Sequence, residues 1–259
     1  MISLFRRRPE RAVTPPPLSH PPRLPDGVRI YVFGDLHGRD DLAVRLQDAI
    51  AADRELSGLP NTVVVGLGDM IDRGSGSQTV IQIMVGGFTG CTTVCLRGNH
   101  EQMLIDFLED PVRYGPLWFR NGAIETLRSY GIATSGRERP PAEELREIRD
   151  AAARAIPPSH LLFLQRMPLS YTAGDYFFAH AGAKPGVALT EQTPMDLLWI
   201  RSGFADRDPP FEKVVVHGHT PVDQPYFGLY RINLDTGAYS TGRLTCLALE
   251  GDQRRLLPV

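Results

Sequence analysis

Val28-Arg29-Ile30-Tyr31-Val32-Phe33-Gly34-Asp35-Leu36-His37-Gly38 opens the folded part of this chain. Its first six residues are rich in β-branched and aromatic side chains, as in a short buried strand. Gly34 and Gly38 then permit a tight turn around Asp35 and His37. From Arg39 to Glu55, Leu42, Leu46, Ala49 and Ile50 fall on one helical face. Gly58-Leu59-Pro60-Asn61 stops that helix, and Thr62 to Leu67 reads as a second strand. A second helix over Ser77 to Met84 leads to a third strand, Thr92 to Leu96. Strands and helices alternating through short connections predict parallel pairing and right-handed crossovers. In such sheets ligands gather beyond the carboxyl ends of the strands, which is where Asp35, Asp69 and Asn99 fall.

Beyond this unit the pattern changes. Residues from about 101 to 165 read as helix-rich, punctuated by Pro111, Pro116, Pro140-Pro141 and Pro157-Pro158. Four more strand-like runs follow: Tyr176 to Ala179, Lys213 to Val216, Leu229 to Leu234 and Arg243 to Leu249. Two of them end in His180 and in His217-Gly218-His219. The expected fold is therefore α/β, with two packed mixed sheets flanked by helices and both sheets delivering side chains to one edge. The 259 residues suffice for one large domain. We assign 27–259 to that domain and 1–26, with Arg6-Arg7-Arg8, Pro15-Pro16-Pro17 and Pro21-Pro22, to an extended or disordered arm.

Several function classes are excluded early. A net charge of −2 gives no global attraction to nucleic acid or an anionic membrane. No stretch is apolar enough to span a bilayer, and the first residues have the order of charge and hydrophobicity opposite to a secretory signal. Three cysteines cannot all pair internally, which fits reduced thiols and a cytoplasmic setting. Gly66-Leu67-Gly68 lacks the third glycine of a dinucleotide fingerprint, since position 71 is Ile. His100-Glu101-Gln102-Met103-Leu104 ends in Leu where a zincin helix needs His.

The remaining chemistry sits in five motifs: Gly34 to Gly38, Gly68-Asp69-Met70-Ile71-Asp72-Arg73-Gly74, Gly98-Asn99-His100-Glu101, His180-Ala181-Gly182 and Gly218-His219-Thr220. An isolated Asp or His in a loop is ordinarily just solvated. Five such groups at successive strand exits point to a pair of divalent metals, because Asp, Asn and His together suit hard-to-borderline dications. Asp35 and His37, two apart on an extended segment, project to one side and can grip one metal. Asp69, at its strand end, is the candidate bridge. Asp72 stands one step back, and Arg73 offers a fork for phosphate oxygens. A His backed by a carboxylate makes a general acid, so His100 and Asp72 are a candidate pair. Glu101 reads as the acidic residue that opens the next helix.

These motifs, with Leu197-Leu198-Trp199-Ile200-Arg201 and Asn233-Leu234-Asp235-Thr236-Gly237, resemble the phosphoprotein phosphatase branch of the calcineurin-like metallophosphoesterases over about 29 to 250. The resemblance implies that Asp35, His37 and Asp69 hold one metal, and that Asp69 bridges to a second held by Asn99, His180 and His219. It implies manganese first, with iron or zinc as alternatives, and a hydroxide shared by the two metals as the in-line nucleophile. It also implies that His100 protonates the leaving oxygen with Asp72 orienting it. Arg73, Arg201, Asn99 and His100 would contact the substrate phosphate. His217 receives no ligand role. The implied substrate is a phosphoprotein or phosphopeptide. The related diadenosine tetraphosphate hydrolases typically lack Asp at position 72 and carry Asp where this chain has Glu101, and both differences favour a monoester phosphatase. Trp118-Phe119-Arg120-Asn121-Gly122, with Thr126 to Tyr130, resembles a helical lid in the smaller bacterial members, within 101–165.

Overall fold

The computed structural model describes residues 20–58 and 61–259. The strands are β1 (Val28–Phe33), β2 (Asn61–Gly66), β3 (Thr92–Cys95), β4 (Ser170–Ala173), β5 (Tyr176–Ala179), β6 (Val214–His217), β7 (Tyr226–Phe227), β8 (Arg231–Asn233), β9 (Cys246–Glu250) and β10 (Gln253–Leu257). Interspersed are α1 (Asp40–Ser57), α2 (Ser77–Gly86), α3 (Asn99–Glu109), α4 (Pro111–Phe119), α5 (Ala123–Ser129), α6 (Ala142–Ala155), α7 (Pro158–Arg166), α8 (Pro194–Trp199) and α9 (Ala238–Thr241). One sheet has the order β10-β9-β1-β2-β3 and the other β4-β5-β6-β8-β7. As expected, β1–β2 and β2–β3 pair in parallel. In the second sheet β5–β6 and β6–β8 are parallel, and the outer strands β4 and β7 run antiparallel.

Strict alternation of side chains builds the layers. Ile30 and Val32 of β1 point to a core shared with Tyr176, Phe178, Val214, Val216 and Ile232 of the second sheet, so the two sheets pack face to face. Tyr31 and Phe33 point the other way, into a core covered by α1 to α7. Across the molecule Phe177, Ala179 and Val215 face a smaller core with Leu197 of α8 and with Phe204 and Phe211. The outcome is an α/β fold of two mixed sheets between helices. Among the described residues, no helix is long and apolar enough to cross a membrane.

Residues 20 to 26 depart from the arm expected there; 1–19 lie outside the described residues. Leu24 is buried in the inter-sheet core. Its N–H donates to the Gly251 carbonyl at 2.9 Å, and Arg23 exchanges hydrogen bonds with Asp175 on the β4–β5 turn. Three prolines in this segment hide a single apolar anchor. Strands β4, β7 and β10 were not expected. The last of these, Gln-Arg-Arg-Leu-Leu, reads as polar because it forms a sheet edge open to water.

Candidate metal centre

Five strands, three parallel ones of the first sheet and two of the second, lead into the loops that carry the candidate residues. β1 leads to Asp35 and His37, β2 to Asp69, Asp72 and Arg73, β3 to Asn99 and His100, β5 to His180, and β6 to His219. Among the described residues, five non-glycine residues have positive φ: His37, Asp69, Asp72, Arg73 and His219. All five belong to these loops, and left-handed backbone at non-glycine residues is held only where the surroundings over-determine it.

Glu101 does much of that holding. Its buried carboxylate accepts from the N–H groups of Gly98, Asp69, Met70 and Ile71 at 2.8, 2.9, 2.7 and 3.3 Å. It therefore opens α3 as expected and also ties the Asp69 loop to it. Gly98 has to be glycine here, since a Cβ would stand 2.2 Å from Asp69 Oδ1.

Lone pairs converge beyond these loops. His180 Nδ1 donates to the Leu67 carbonyl at 2.9 Å, so in the neutral ring Nε2 is an acceptor. That Nε2 faces Asn99 Oδ1 at 2.9 Å, His219 Nδ1 at 3.1 Å and Asp69 Oδ1 at 3.4 Å. Likewise His37 Nδ1 donates to the Ile71 carbonyl, leaving Nε2 3.6 Å from Asp69 Oδ2. His100 Nε2 lies 3.8 Å from that same oxygen. Two groups of candidate ligands thus share Asp69: His37, Asp69 and His100, and Asp69, His180 and His219. Asp35 sits apart from both groups, its carboxylate accepting the His219 N–H at 3.1 Å.

The electrostatics agree with a place for cations. Burial, with Asp235 and Asp69 nearby, pushes the Asp35 carboxyl well above its usual range. Burial drives His37 down to about 3 and His219 to about 2, the neutral state a metal ligand requires. For Asp69 burial is overcome by His180 and His100, which hold it well below the carboxylate range. His180, despite burial, is raised to about 9 by Asp69 and Asp35. A cation in place of that proton would satisfy the same acceptors. His219 Nε2 is buried without a hydrogen-bond partner. The mixed Asp, Asn and His donor set, arranged around one shared carboxylate, fits two divalent ions.

Beside this cluster lies a second arrangement. His100 Nδ1 donates to Asp72 Oδ2 at 2.7 Å. Asp72 also accepts from Trp118 Nε1 at 2.9 Å and Thr126 Oγ1 at 2.6 Å. The helices over 101–165 thus reach the site through Trp118 and Thr126, a role not readable from the motifs themselves. A buried tryptophan's need for an acceptor was the available signal. Burial lowers and Asp69 and Asp72 raise His100, with a net upward shift. Arg73 Nη2 stands 3.2 Å from His100 Nε2, and its guanidinium lies 4.7 Å over the Tyr239 ring. Arg201 is exposed, and its charge contributes to depressing His219. His217 belongs to neither candidate group; it donates to the Gly218 carbonyl and faces Arg231.

The similarities to known proteins match this geometry. A bis(5'-nucleosyl)-tetraphosphatase PrpE [asymmetrical] of Geobacillus sp. (strain WCH70) is 25% identical over 239 residues, covering 84% of this chain and 89% of the relative. A protein of the same description from Bacillus velezensis is 24% identical, covering 83% and 86%. Among solved structures, a putative diadenosine tetraphosphatase aligns over 89% of this chain and 93% of its own, with a TM-score of 0.59 and 18% identity. A cold-active protein tyrosine phosphatase of a psychrophilic Shewanella sp. covers 91% and 83%, with a TM-score of 0.54 and 14% identity. At such identities the structures speak to the fold alone. The family model of the calcineurin-like phosphoesterases matches residues 28–247, and over that span, which holds the candidate ligands, the chain belongs to the calcineurin-like phosphoesterase family.

Proposed function

We propose that this phosphoesterase hydrolyses phosphomonoesters with poor leaving groups, in particular the phosphate esters of protein serine, threonine and tyrosine side chains. The observation that carries the reading is the buried His100–Asp72 pair, in which Asp72 is fixed by two further donors. Departure of an alkoxide or phenolate needs a proton, and a positioned imidazole supplies it. A nucleotide leaving from a tetraphosphate is a much weaker base and needs little such help.

Asp35, His37, Asp69, Asn99, His180 and His219 would hold the two metals, Asp69 between them. When bound, two dications neutralise phosphoryl oxygens and provide a nucleophile from water near neutral pH. The chain's own side chains do the rest. Asp72 holds one proton on His100 Nδ1 and supports the imidazolium, whose second proton, on Nε2 toward Arg73 and the reacting group, passes to the leaving oxygen. Arg73 and Arg201 bind the phosphate oxygens, which lets Arg73 exchange its contact with His100 for one with substrate. The names of the relatives support a second reading, cleavage of a bis(5'-nucleosyl) tetraphosphate, which would use the same ligands and arginines.

The two readings separate in one panel: phosphoserine and phosphotyrosine peptides, p-nitrophenyl phosphate and diadenosine tetraphosphate, each with wild type and His100→Asn. We expect kcat/KM to favour the peptides. His100→Asn should lower kcat about a hundred- to ten-thousandfold for phosphoserine and far less for p-nitrophenyl phosphate. Preference for diadenosine tetraphosphate, with a His100→Asn penalty independent of leaving group, would establish the second reading instead.

A further inference from the structure

Arg231 is a buried guanidinium outside the ligand cluster, and among the described residues its hydrogen-bond partners are carbonyls and an imidazole. It sits at the start of β8, with its charged carbon 4.0 Å over the Tyr226 ring and 5.9 Å over Phe204. Its nitrogens are spent on other segments. Nε donates to the Arg207 carbonyl, Nη2 donates to the Ala205 carbonyl at 2.7 Å, and Nη1 donates to His217 Nε2 at 3.3 Å. The His217 ring can accept because its Nδ1 already donates to Gly218. Burial works against its charge, and Asp208 and Asp206 offset this only from a distance, so what it holds is informative.

It holds the turn that begins at Arg201. Phe204 and Ala205 donate their N–H groups to the Arg201 carbonyl at 3.3 and 2.7 Å, and Arg207 donates to the Phe204 carbonyl at 3.2 Å. The carbonyls at the far end of this turn are the ones Arg231 grips. Asp208 closes the same turn by accepting the Leu229 and Tyr230 N–H groups at 2.6 and 3.0 Å. Phe204 wedges it against the loops that carry the candidate ligands. Its ring meets the His217 ring edge-on, 4.8 Å between centres, and leaves no room for a side chain at position 182, where a Cβ would lie 2.0 Å from Phe204. Arg201 itself is exposed at the open end.

We propose that Arg231 is the positioning residue of Arg201. By clamping the 201–208 turn to the end of β6, two residues before His219, it fixes the backbone from which Arg201 projects relative to the candidate metal centre. An exposed arginine on an unsupported loop would pay backbone as well as side-chain ordering entropy at each binding event; the clamp removes the backbone part beforehand. The inference rests on the reading of Arg201 as a phosphate ligand. It predicts that Arg231 acts on phosphate affinity and acts through Arg201.

The test is a double-mutant cycle on the full chain loaded with metal, reading the inhibition constant of inorganic phosphate, KM, kcat and metal content. Arg201→Ala alone should weaken phosphate binding; if it does not, the reading of Arg201 fails, separately from the clamp. Given that effect, Arg231→Met should raise the phosphate inhibition constant about tenfold, the scale of one lost well-placed interaction, with metal content unchanged. In the Arg201→Ala background the same substitution should add less than about twofold. Arg231→Lys, which keeps the charge but cannot span three partners, should act in the same direction and serves if the methionine variant does not fold. An equal penalty with and without Arg201, or a loss of metal in place of phosphate affinity, would overturn the proposal.

Discussion

Glu101 carries two tasks on one carboxylate. At the third position of α3 it accepts the Gly98 N–H, the ordinary place for an acidic side chain at a helix start. The same carboxylate accepts three further N–H groups from the Asp69 loop, in which Asp69 has a φ of 53°. Burial pushes its carboxyl up, with Asp69 adding to the effect, so charge at this position is held against a cost. Glu101→Gln preserves volume, yet one amide oxygen cannot serve four donors and its NH2 would face some of them. The loss should be about 1 to 3 kcal/mol, read as a fall in Tm. Metal affinity should drop with it, because the bridge candidate Asp69 loses its support. An unchanged Tm and unchanged metal affinity would remove Glu101 from the centre's framework.

Short elements explain both what the sequence revealed and what it concealed. The strands β1, β2, β3, β5 and β6 are apolar and end in glycine-flanked Asp, His or Asn, so their exits, and with them the ligand candidates, were readable from the motifs. The contacts of the supporting residues were not, because Trp118, Thr126 and Arg231 act from elements far along the chain, and a local motif does not show which distant side chain they meet. The segment 20–26 illustrates the same limit. Prolines and charges describe a solvated arm, whereas Leu24 alone fills a place between the sheets. Leu24→Ala should therefore cost about 2 to 5 kcal/mol, as for other buried leucines, measured by denaturant unfolding. A loss below about 0.5 kcal/mol, typical of a surface position, would contradict that packing.

Across the whole molecule, the helical layer is bound to the first sheet by a polar knot around Asp53 of α1. Asp53 accepts from Tyr31 of β1 at 2.5 Å, Arg29 of β1 at 3.1 Å and Arg255 of β10 at 2.7 Å, while Arg29 also pairs with Glu250 of β9. Burial opposes ionisation of Asp53, but the Tyr31 and Arg255 hydrogen bonds outweigh it and hold the carboxyl below its usual value. A carboxyl with a depressed folded pKa contributes stability above its unfolded value and loses it as pH falls through the folded one. Asp53→Asn should accordingly lower Tm at neutral pH, and the gap from wild type should narrow as pH drops below about 4. A gap constant between neutral pH and strong acid would mean that shape, and not charge, is what Asp53 provides.

The central claim is that Asp69 joins two metal ions in one centre. Metal content by mass spectrometry, after chelation and re-addition of manganese, tests it most directly when read beside phosphate release. Wild type should carry roughly two ions per chain and regain activity only with them. Asp69→Asn, still folded, should hold well below two and lose activity. Two tightly held ions with full activity in Asp69→Asn, or full wild-type activity after complete metal removal, would contradict the account.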